Sequence, residues 1–151
     1  LYYKLEQKKK KEMQPTGDRT FRSLEKLRND LNMKDMPVHI ECFDNSNIMG
    51  QNPVAACVVF RNARPSRKEY RHFNIKTVTG PDDFSSMEEI VYRRYRRMTE
   101  EGQTMPQLII IDGGKGQLSV VESSIPKDIY LLGITKGRKY KRGYFSFKKI
   151  I

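Results

Sequence analysis

Cysteine is scarce in this chain, and long apolar runs are absent. Cys42 and Cys57 are its two cysteines, and both fall in predicted strands, which favours two reduced core thiols in a cytoplasmic protein over a disulfide or a thiolate metal site. No stretch of about 18 apolar residues occurs, which excludes a membrane-spanning helix, and no charged-then-apolar leader indicates secretion. The sequence begins at Leu1 without an initiator Met, so we expect a piece of a longer protein.

Positive charge is plentiful but uneven. The 151 residues suit one domain that buries about two thirds of its unfolded surface. The net charge is +11. Residues 1–36 hold ten Lys or Arg against six Asp or Glu, residues 37–126 hold eleven of each kind, and residues 127–151 hold eight against one. The body of the chain is therefore neutral, and its ends are basic.

The basic segment near the end has a composition suited to nucleic acid. Tyr140 and Tyr144 are interleaved with its cations, which lets it follow a phosphate backbone while the tyrosines stack on bases. A solvated loop that only aids solubility is the alternative, and that reading is favoured for the lysine run at 8–11. The cations predicted to bind DNA here are Lys136, Arg138, Lys139, Lys141 and Arg142.

Two predicted strands each end in an aspartate. The apolar stretch 108–111 leads into Asp112, and the mostly apolar stretch 38–43 leads into Asp44. An ionised Asp at the end of a buried strand is costly unless a cation or hydrogen bonds compensate it. Two strands of one sheet can bring both carboxylates to a common edge, where hard oxygen ligands would hold a divalent cation. We therefore predict a metal site formed by Asp44 and Asp112.

The order of predicted elements indicates an α/β fold. Asp18 is the expected N-cap of the second helix, Ser85 and Glu88 form a possible capping box for the third, and Gly102 is expected to end that third helix. The predicted elements are helices at about 3–12 and 19–31, strands at 38–44, 54–60 and 69–75, a helix at 84–101, a strand at 108–112, a helix at 115–123 and a strand at 129–134. This order resembles the ribonuclease H-like mixed sheet. It consists of an antiparallel meander of three strands, a crossover helix, a fourth strand, a second helix and a fifth strand.

Five motifs, in order along the chain, carry a specific resemblance. They are ECFDNS at 41–46, YRHFNIK at 70–76, GPDDF at 80–84, YRRY at 92–95 and IDGGKGQL at 111–118. These motifs are similar to the C-terminal endonuclease domain of UvrC, the nuclease subunit of bacterial nucleotide-excision repair. We expect residues 1–36 to form a helical extension and residues 37–151 to form the endonuclease domain, incomplete at its C-terminus.

The resemblance implies a chemistry and a set of partners. It implies incision of damaged double-stranded DNA on the 5′ side of a lesion, within the SOS response, after the damage-recognition and loading subunits have placed the protein, with no role for a membrane. It implies an Asp, Asp, His catalytic set that binds Mg²⁺ or Mn²⁺, whose acids correspond to Asp44 and Asp112. The family's histidine has no counterpart in these 151 residues, since neither His39 nor His72 matches it.

Other charged residues have competing interpretations. Lys115, in a glycine-rich turn, is predicted to contact phosphate or the active site, although a solvated turn lysine is the alternative. Arg93 and Arg97 are predicted to bind DNA, because the four arginines at 93–97 cannot share one helix face. The acids at 82, 83, 88 and 89 are expected to stabilise the N-terminus of the helix by interacting with its dipole. His72 is expected to be a structural side chain.

Two classes of function stay open beside a weaker third. The first is a metal-dependent DNA endonuclease, and the second is a nucleic-acid-binding or assembly module of the same fold that does not cleave. A nucleotide-binding domain that uses the glycine turn is the third. Steep salt dependence on polynucleotides would distinguish the first two from the third.

Overall fold

The computed structural model describes residues 17–46, 54–75, 83–136 and 143–149. The predicted helix at 3–12 and the lysine run lie outside these residues. Within them, no helix is long and apolar enough to cross a membrane. The elements are α1 (Gly17–Asp30), β1 (His39–Ser46), β2 (Val54–Arg61), β3 (Arg64–Pro65), a 3-10 turn (Arg67–Glu69), β4 (Arg71–Asn74), α2 (Asp83–Glu100), β5 (Leu108–Asp112), α3 (Lys115–Val121), a second 3-10 turn (Glu122–Ser124), β6 (Tyr130–Lys136) and β7 (Gly143–Lys149).

These strands form one mixed sheet. Its order is β3-β2-β1-β5-β6-β7, and β4 pairs with the same edge of β2 as β3 does. The β1-β2 and β2-β4 pairs are antiparallel, whereas β5 runs parallel to both β1 and β6. The predicted antiparallel meander, the crossover helix and the parallel additions are therefore confirmed, and the fold is ribonuclease H-like.

One face of the sheet, the α2 face, carries the main core. Strand residues alternate between faces, so Phe43, Cys57 and Ile109 all point to the side covered by α2 and α3. Met87, Ile90, Val91 and Tyr95 of α2 pack against them. Burying this apolar stripe is what holds the crossover helix on the sheet.

The opposite face, the α1 face, is covered only in part by the described residues. Leu108, Tyr130 and Leu132 form a smaller cluster there with Met33, and Leu27 and Leu31 pack against it. The phenol of Tyr130 also accepts a hydrogen bond of 3.0 Å from the backbone N–H of Lys34. In α1 the predicted apolar position Leu24 is buried, but Phe21 is exposed.

Both longer helices end in the same hydrogen-bonding pattern. At the end of α2, Gly102 has a φ of +64°. Its N–H donates to the carbonyl of Thr99, and the N–H of Gln103 donates to the carbonyl of Met98. These two bonds form a Schellman motif. Asn32, with a φ of +52°, fills the same position after α1. The prediction that Gly102 ends the helix is confirmed.

The helix starts lie two residues and one residue before the predicted ones, and both predicted caps were wrong. Helix α1 begins at Gly17, so Asp18 lies in its first turn and is not the N-cap. Helix α2 begins at Asp83, which places Ser85 inside the helix and rules out the Ser85–Glu88 capping box. Apolar periodicity locates the body of a helix better than its first residue, because frayed first turns lack the intrahelical bonds that define a boundary.

The third strand of the meander is split. Residues 69–75 were predicted as one strand, but Glu69 belongs to a 3-10 turn and only Arg71–Asn74 pair with β2. The extra strand β3 follows a two-residue turn at Asn62 and Ala63, both with positive φ, which matches the right-handed twist of a hairpin. Strand β7, antiparallel to β6, was not predicted at all.

Candidate active site

The two predicted acids lie on neighbouring strands. Asp112 is the last residue of β5, as predicted, but Asp44 lies inside β1, which continues to Ser46, so the predicted strand end at Asp44 was wrong. The parallel register of β1 and β5 pairs Phe43 with Ile111, so the next residues, Asp44 and Asp112, are adjacent at the carboxyl edge. Phe43 and Ile111 face the core under α2, and strand alternation therefore directs both acids to the α1 face. Asp44 and Asp112 are exposed. The fold thus brings these two carboxylates together on one surface.

The thiol of Cys42 is affected by the negative charges of Asp44 and Asp112. Its half-buried thiol lies two residues before Asp44 and shares the α1 face. Burial raises the pKa of the Cys42 thiol, and the charges of Asp112 and Asp44 raise that pKa further, to about 11. A thiolate is disfavoured where two carboxylates act on it, and the same field attracts a cation. Cys57, on the α2 face, is buried as predicted, whereas Cys42 is not a core residue; both thiols are free.

Two glycines lie in closely packed positions beside the site. A Cβ on Gly113 would meet the side chain of Gln117, and a Cβ on Gly133 would lie 2.7 Å from the Gly113 carbonyl oxygen. The N–H of Gly113 donates to the carbonyl of Ile134 at 2.9 Å, which extends the β5-β6 ladder past Asp112. Gly133 is therefore required for packing against the backbone of the turn, whereas the flexible side chain of Gln117 can move away from a Cβ on Gly113. Lys115 begins α3 just beyond it, and its side chain is exposed.

A buried charged cluster lies on the reverse side of β1. Glu41 is 0% exposed, and the Nε and Nη2 atoms of Arg94 donate to its two oxygens at 3.2 and 2.7 Å. The Tyr95 hydroxyl donates at 2.9 Å, and His39 Nε2 lies 3.1 Å from Oε1. Because a carboxylate only accepts hydrogen bonds, Nε2 of His39 carries the hydrogen. The cluster ties strand β1, which carries Asp44, to helix α2.

Opposing effects set the pKa of Glu41. Burial alone would raise this pKa, but hydrogen bonds from His39, Arg94 and Tyr95, together with the Arg94 charge, lower it to about 2. Sequence reasoning missed this cluster. The available signal was an acid at 41 between the apolar residues Ile40 and Cys42 of a predicted strand, together with the YRRY motif that carries Arg94 and Tyr95.

The arginines predicted to bind DNA lie elsewhere. Arg93 and Arg97 belong to α2, which packs on the α2 face, so the structure does not bring them to the two acids. Arg93 donates to the Asn74 carbonyl at 2.8 Å and pairs with Glu89. Arg97 pairs with Glu101 at 2.7 Å. Ion pairs one helical turn apart account for part of the charge of this surface.

Most of the basic segment lies outside the described residues. Lys136 is the last residue of β6, and Arg138, Lys139, Lys141 and Arg142 lie outside the described residues. In the ranges that are described, no group of three or more His, Cys, Asp or Glu side chains is placed to hold a metal ion. The acids of the site are accordingly a pair, and their metal role stays a prediction.

Sequence comparison identifies related proteins. Residues 28–150 match the family model described as the UvrC RNAse H endonuclease domain. The UvrABC system protein C of Flavobacterium johnsoniae is 54% identical over 140 residues, which cover 89% of this chain and 24% of that protein. The protein of the same name from Cytophaga hutchinsonii is 63% identical over 113 residues, covering 75% and 19%. The chain thus spans about a quarter of the length of these curated relatives or less.

Solved structures give a weaker likeness. Ciona intestinalis endonuclease V in complex with an inosine-containing 24mer DNA has a TM-score of 0.49 at 11% identity, covering 85% of this chain and 59% of that chain. Argonaute of Marinitoga piezophila has a TM-score of 0.42 at 10% identity, covering 70% and 18%. Because both TM-scores are below 0.5, these structures do not support an assignment. The family assignment rests on the sequence match.

Proposed function

The chain belongs to the UvrC RNase H endonuclease domain family, and from this premise we propose that it is the metal-dependent DNA endonuclease domain of a nucleotide-excision-repair nuclease. We propose that it hydrolyses one phosphodiester bond on the 5′ side of a lesion. The observation that carries the proposal is the placement of Asp44 beside Asp112, exposed on one face at the carboxyl edge of adjacent parallel strands.

The two acids suit a divalent metal. Carboxylate oxygens are the hard ligands that Mg²⁺ and Mn²⁺ prefer. The pKa of Cys42 is raised mainly by burial and further by the negative charges of Asp112 and Asp44. Asp44 and Asp112 would hold the ion. When bound, such an ion activates a water molecule and stabilises the leaving oxyanion. The family's histidine would complete the set from outside these 151 residues.

The remaining residues of the site would position DNA. Lys115 extends from the first turn of α3, three residues after Asp112, where its ammonium group can meet a substrate phosphate. The basic residues at 136–142 would follow the backbone without reading sequence. Damaged double-stranded DNA and the damage-recognition and loading subunits are the proposed partners, which is consistent with a cytoplasmic location.

Charge-removing substitutions at the two acids test this proposal. In the full-length protein, Asp44→Asn or Asp112→Asn should abolish the 5′ incision, because each removes a metal-binding charge of the pair. The affinity for DNA should stay near that of the wild type, because a negatively charged carboxylate does not attract the phosphate backbone of DNA. Incision of lesion-containing duplex and binding are measured side by side, with Mg²⁺, with Mn²⁺ and with a chelator. Full 5′ incision by either variant would refute the assigned role, and DNA binding without any incision by the wild type would favour the non-cleaving module.

A further inference from the structure

The strand register places His72 in line with the two acids. Asp44 in β1 is the partner of Ala56 in β2, and Ala56 is the partner of His72 in β4. Directly paired residues point to the same face of a sheet. Asp112, Asp44, Ala56 and His72 therefore form one row across the α1 face, with His72 about 10 Å from Asp44 at the usual spacing between strands.

The middle of this row carries only a small side chain. Ala56 has a single methyl group and is half-buried, whereas Asp112, Asp44 and His72 are exposed. Among the described residues, the register places no larger side chain in the row between Asp44 and His72. A polymer that lies across the strands can thus touch both groups while it stays on the sheet.

The position of His72 does not suit a metal ligand. Its separation from Asp44 is several times a metal-to-ligand distance of about 2 Å. Within the described ranges, His72 also belongs to no group of three His, Cys, Asp or Glu side chains that could hold a metal ion. An exposed imidazole keeps a ring N–H in either protonation state, so it can donate a hydrogen bond to an anionic oxygen at neutral pH. Phosphate oxygens of a nucleic-acid strand are acceptors of this kind.

We propose that His72 is a substrate-binding residue that contacts a phosphate neighbouring the scissile one. The inference rests on the proposed function, because it takes Asp44 and Asp112 as the point of cleavage. The substrate strand then crosses the α1 face at right angles to the β-strands. The bond to be cut lies over the acids, and the neighbouring phosphate lies against His72, on the β4 side. Lys115 lies on the other side, beyond the end of β5.

Arg71 provides a matched control. It precedes His72 in β4, so its side chain points to the α2 face, where it lines a groove with Arg94 and Met98. Its Nη1 donates to the carbonyls of Tyr70 and Lys68 at 2.8 and 3.2 Å. Like His72 it is exposed, and it carries a full charge. Removal of Arg71 therefore tests general charge near the site without touching the row.

The first test compares His72→Ala with Arg71→Ala in the full-length protein. With the loading subunits and a duplex that carries one bulky adduct, we expect His72→Ala to lower kcat/KM for the 5′ incision about tenfold or more, the loss typical of one hydrogen bond to a charged group. Arg71→Ala should stay within about twofold of the wild type. Thermal unfolding of both variants checks that the fold is intact. Equal losses in the two variants, or wild-type rates for His72→Ala, would overturn the inference.

A second test locates the phosphate. Phosphates around the cut are replaced one at a time by neutral methylphosphonates. The wild type should lose activity at one position beside the cut, and His72→Ala should lose nothing further there while it stays sensitive at other positions. If both proteins lost the same activity at every position, the contact between His72 and the phosphate would be refuted, and the proposed function would be unaffected. Absence of 5′ incision by the wild type on unmodified DNA would instead overturn the proposed function, and the inference with it.

Discussion

Replacing Glu41 by Gln is the sharpest test of how the site is supported. The substitution keeps the shape of the side chain but leaves the Arg94 guanidinium, whose side chain is 11% exposed, without its carboxylate. Removing one partner of a buried ion pair costs about 3 to 5 kcal/mol, because the remaining charge stays desolvated. We expect Glu41→Gln to lower the free energy of unfolding at pH 7 by that amount, measured by urea denaturation.

The pH dependence gives an independent measure of the same cluster. The pKa of Glu41 falls from 4.5 to about 2 in the folded chain, mainly because hydrogen bonds from His39 and Arg94 outweigh the effect of burial. A lowered folded-state pKa contributes stability that is complete above pH 4.5 and is lost as the pH falls towards 2. At about 1.4 kcal/mol per pKa unit, the contribution is about 3 kcal/mol. The difference in stability between wild type and Glu41→Gln should therefore shrink by about that much between pH 6 and pH 2.

Glu69→Gln is the matched control. The hydrogen bond from Arg61 is the main cause that lowers the pKa of Glu69, also to about 2. The side chains of Glu69 and Arg61 are, however, 27% and 42% exposed. Solvent screens such a pair, so we expect a loss of at most about 1 kcal/mol. If Glu41→Gln costs no more than Glu69→Gln, or if its difference from the wild type does not change with pH, the buried cluster does not support β1 as argued.

Three further predictions concern the surroundings of the acids. Lys115→Ala should lower the single-turnover incision rate far more than DNA affinity, and a normal rate at saturating DNA would leave Lys115 as a turn residue. Neutralising several basic residues at 136–142 should weaken binding equally for all DNA sequences and flatten the slope of log affinity against log salt by about one unit per lost contact, whereas an unchanged slope would indicate a solvated loop. Gly133→Ala should cost about 1 to 3 kcal/mol in urea denaturation, because its Cβ would lie 2.7 Å from the Gly113 carbonyl oxygen, and an unchanged midpoint would show that this turn can move.

Local patterns in the sequence were enough for several elements. The apolar run before Asp112 predicted β5 with the bounds that the structure shows, Leu108–Asp112, and Gly102 marked the end of α2. Both features depend on neighbours in the chain, namely a continuous buried strand and a glycine with positive φ. The motifs around Asp44 and Asp112 likewise indicated the family without any knowledge of contacts.

Other features depend on partners that are distant in sequence. The adjacency of Asp44 and Asp112, the row that ends at His72, and the pairing of β7 with β6 are set by strand register. Register is decided by which faces are buried, and no local period records it. Glu41 and Arg94 are 53 residues apart, so only tertiary packing turns a strand acid and a helix arginine into a buried pair. The sequence alone thus determined most of the element types, though not β3 or β7, and the candidate acids. The tertiary structure decided which charged groups meet, because desolvation acts only after distant segments have packed together.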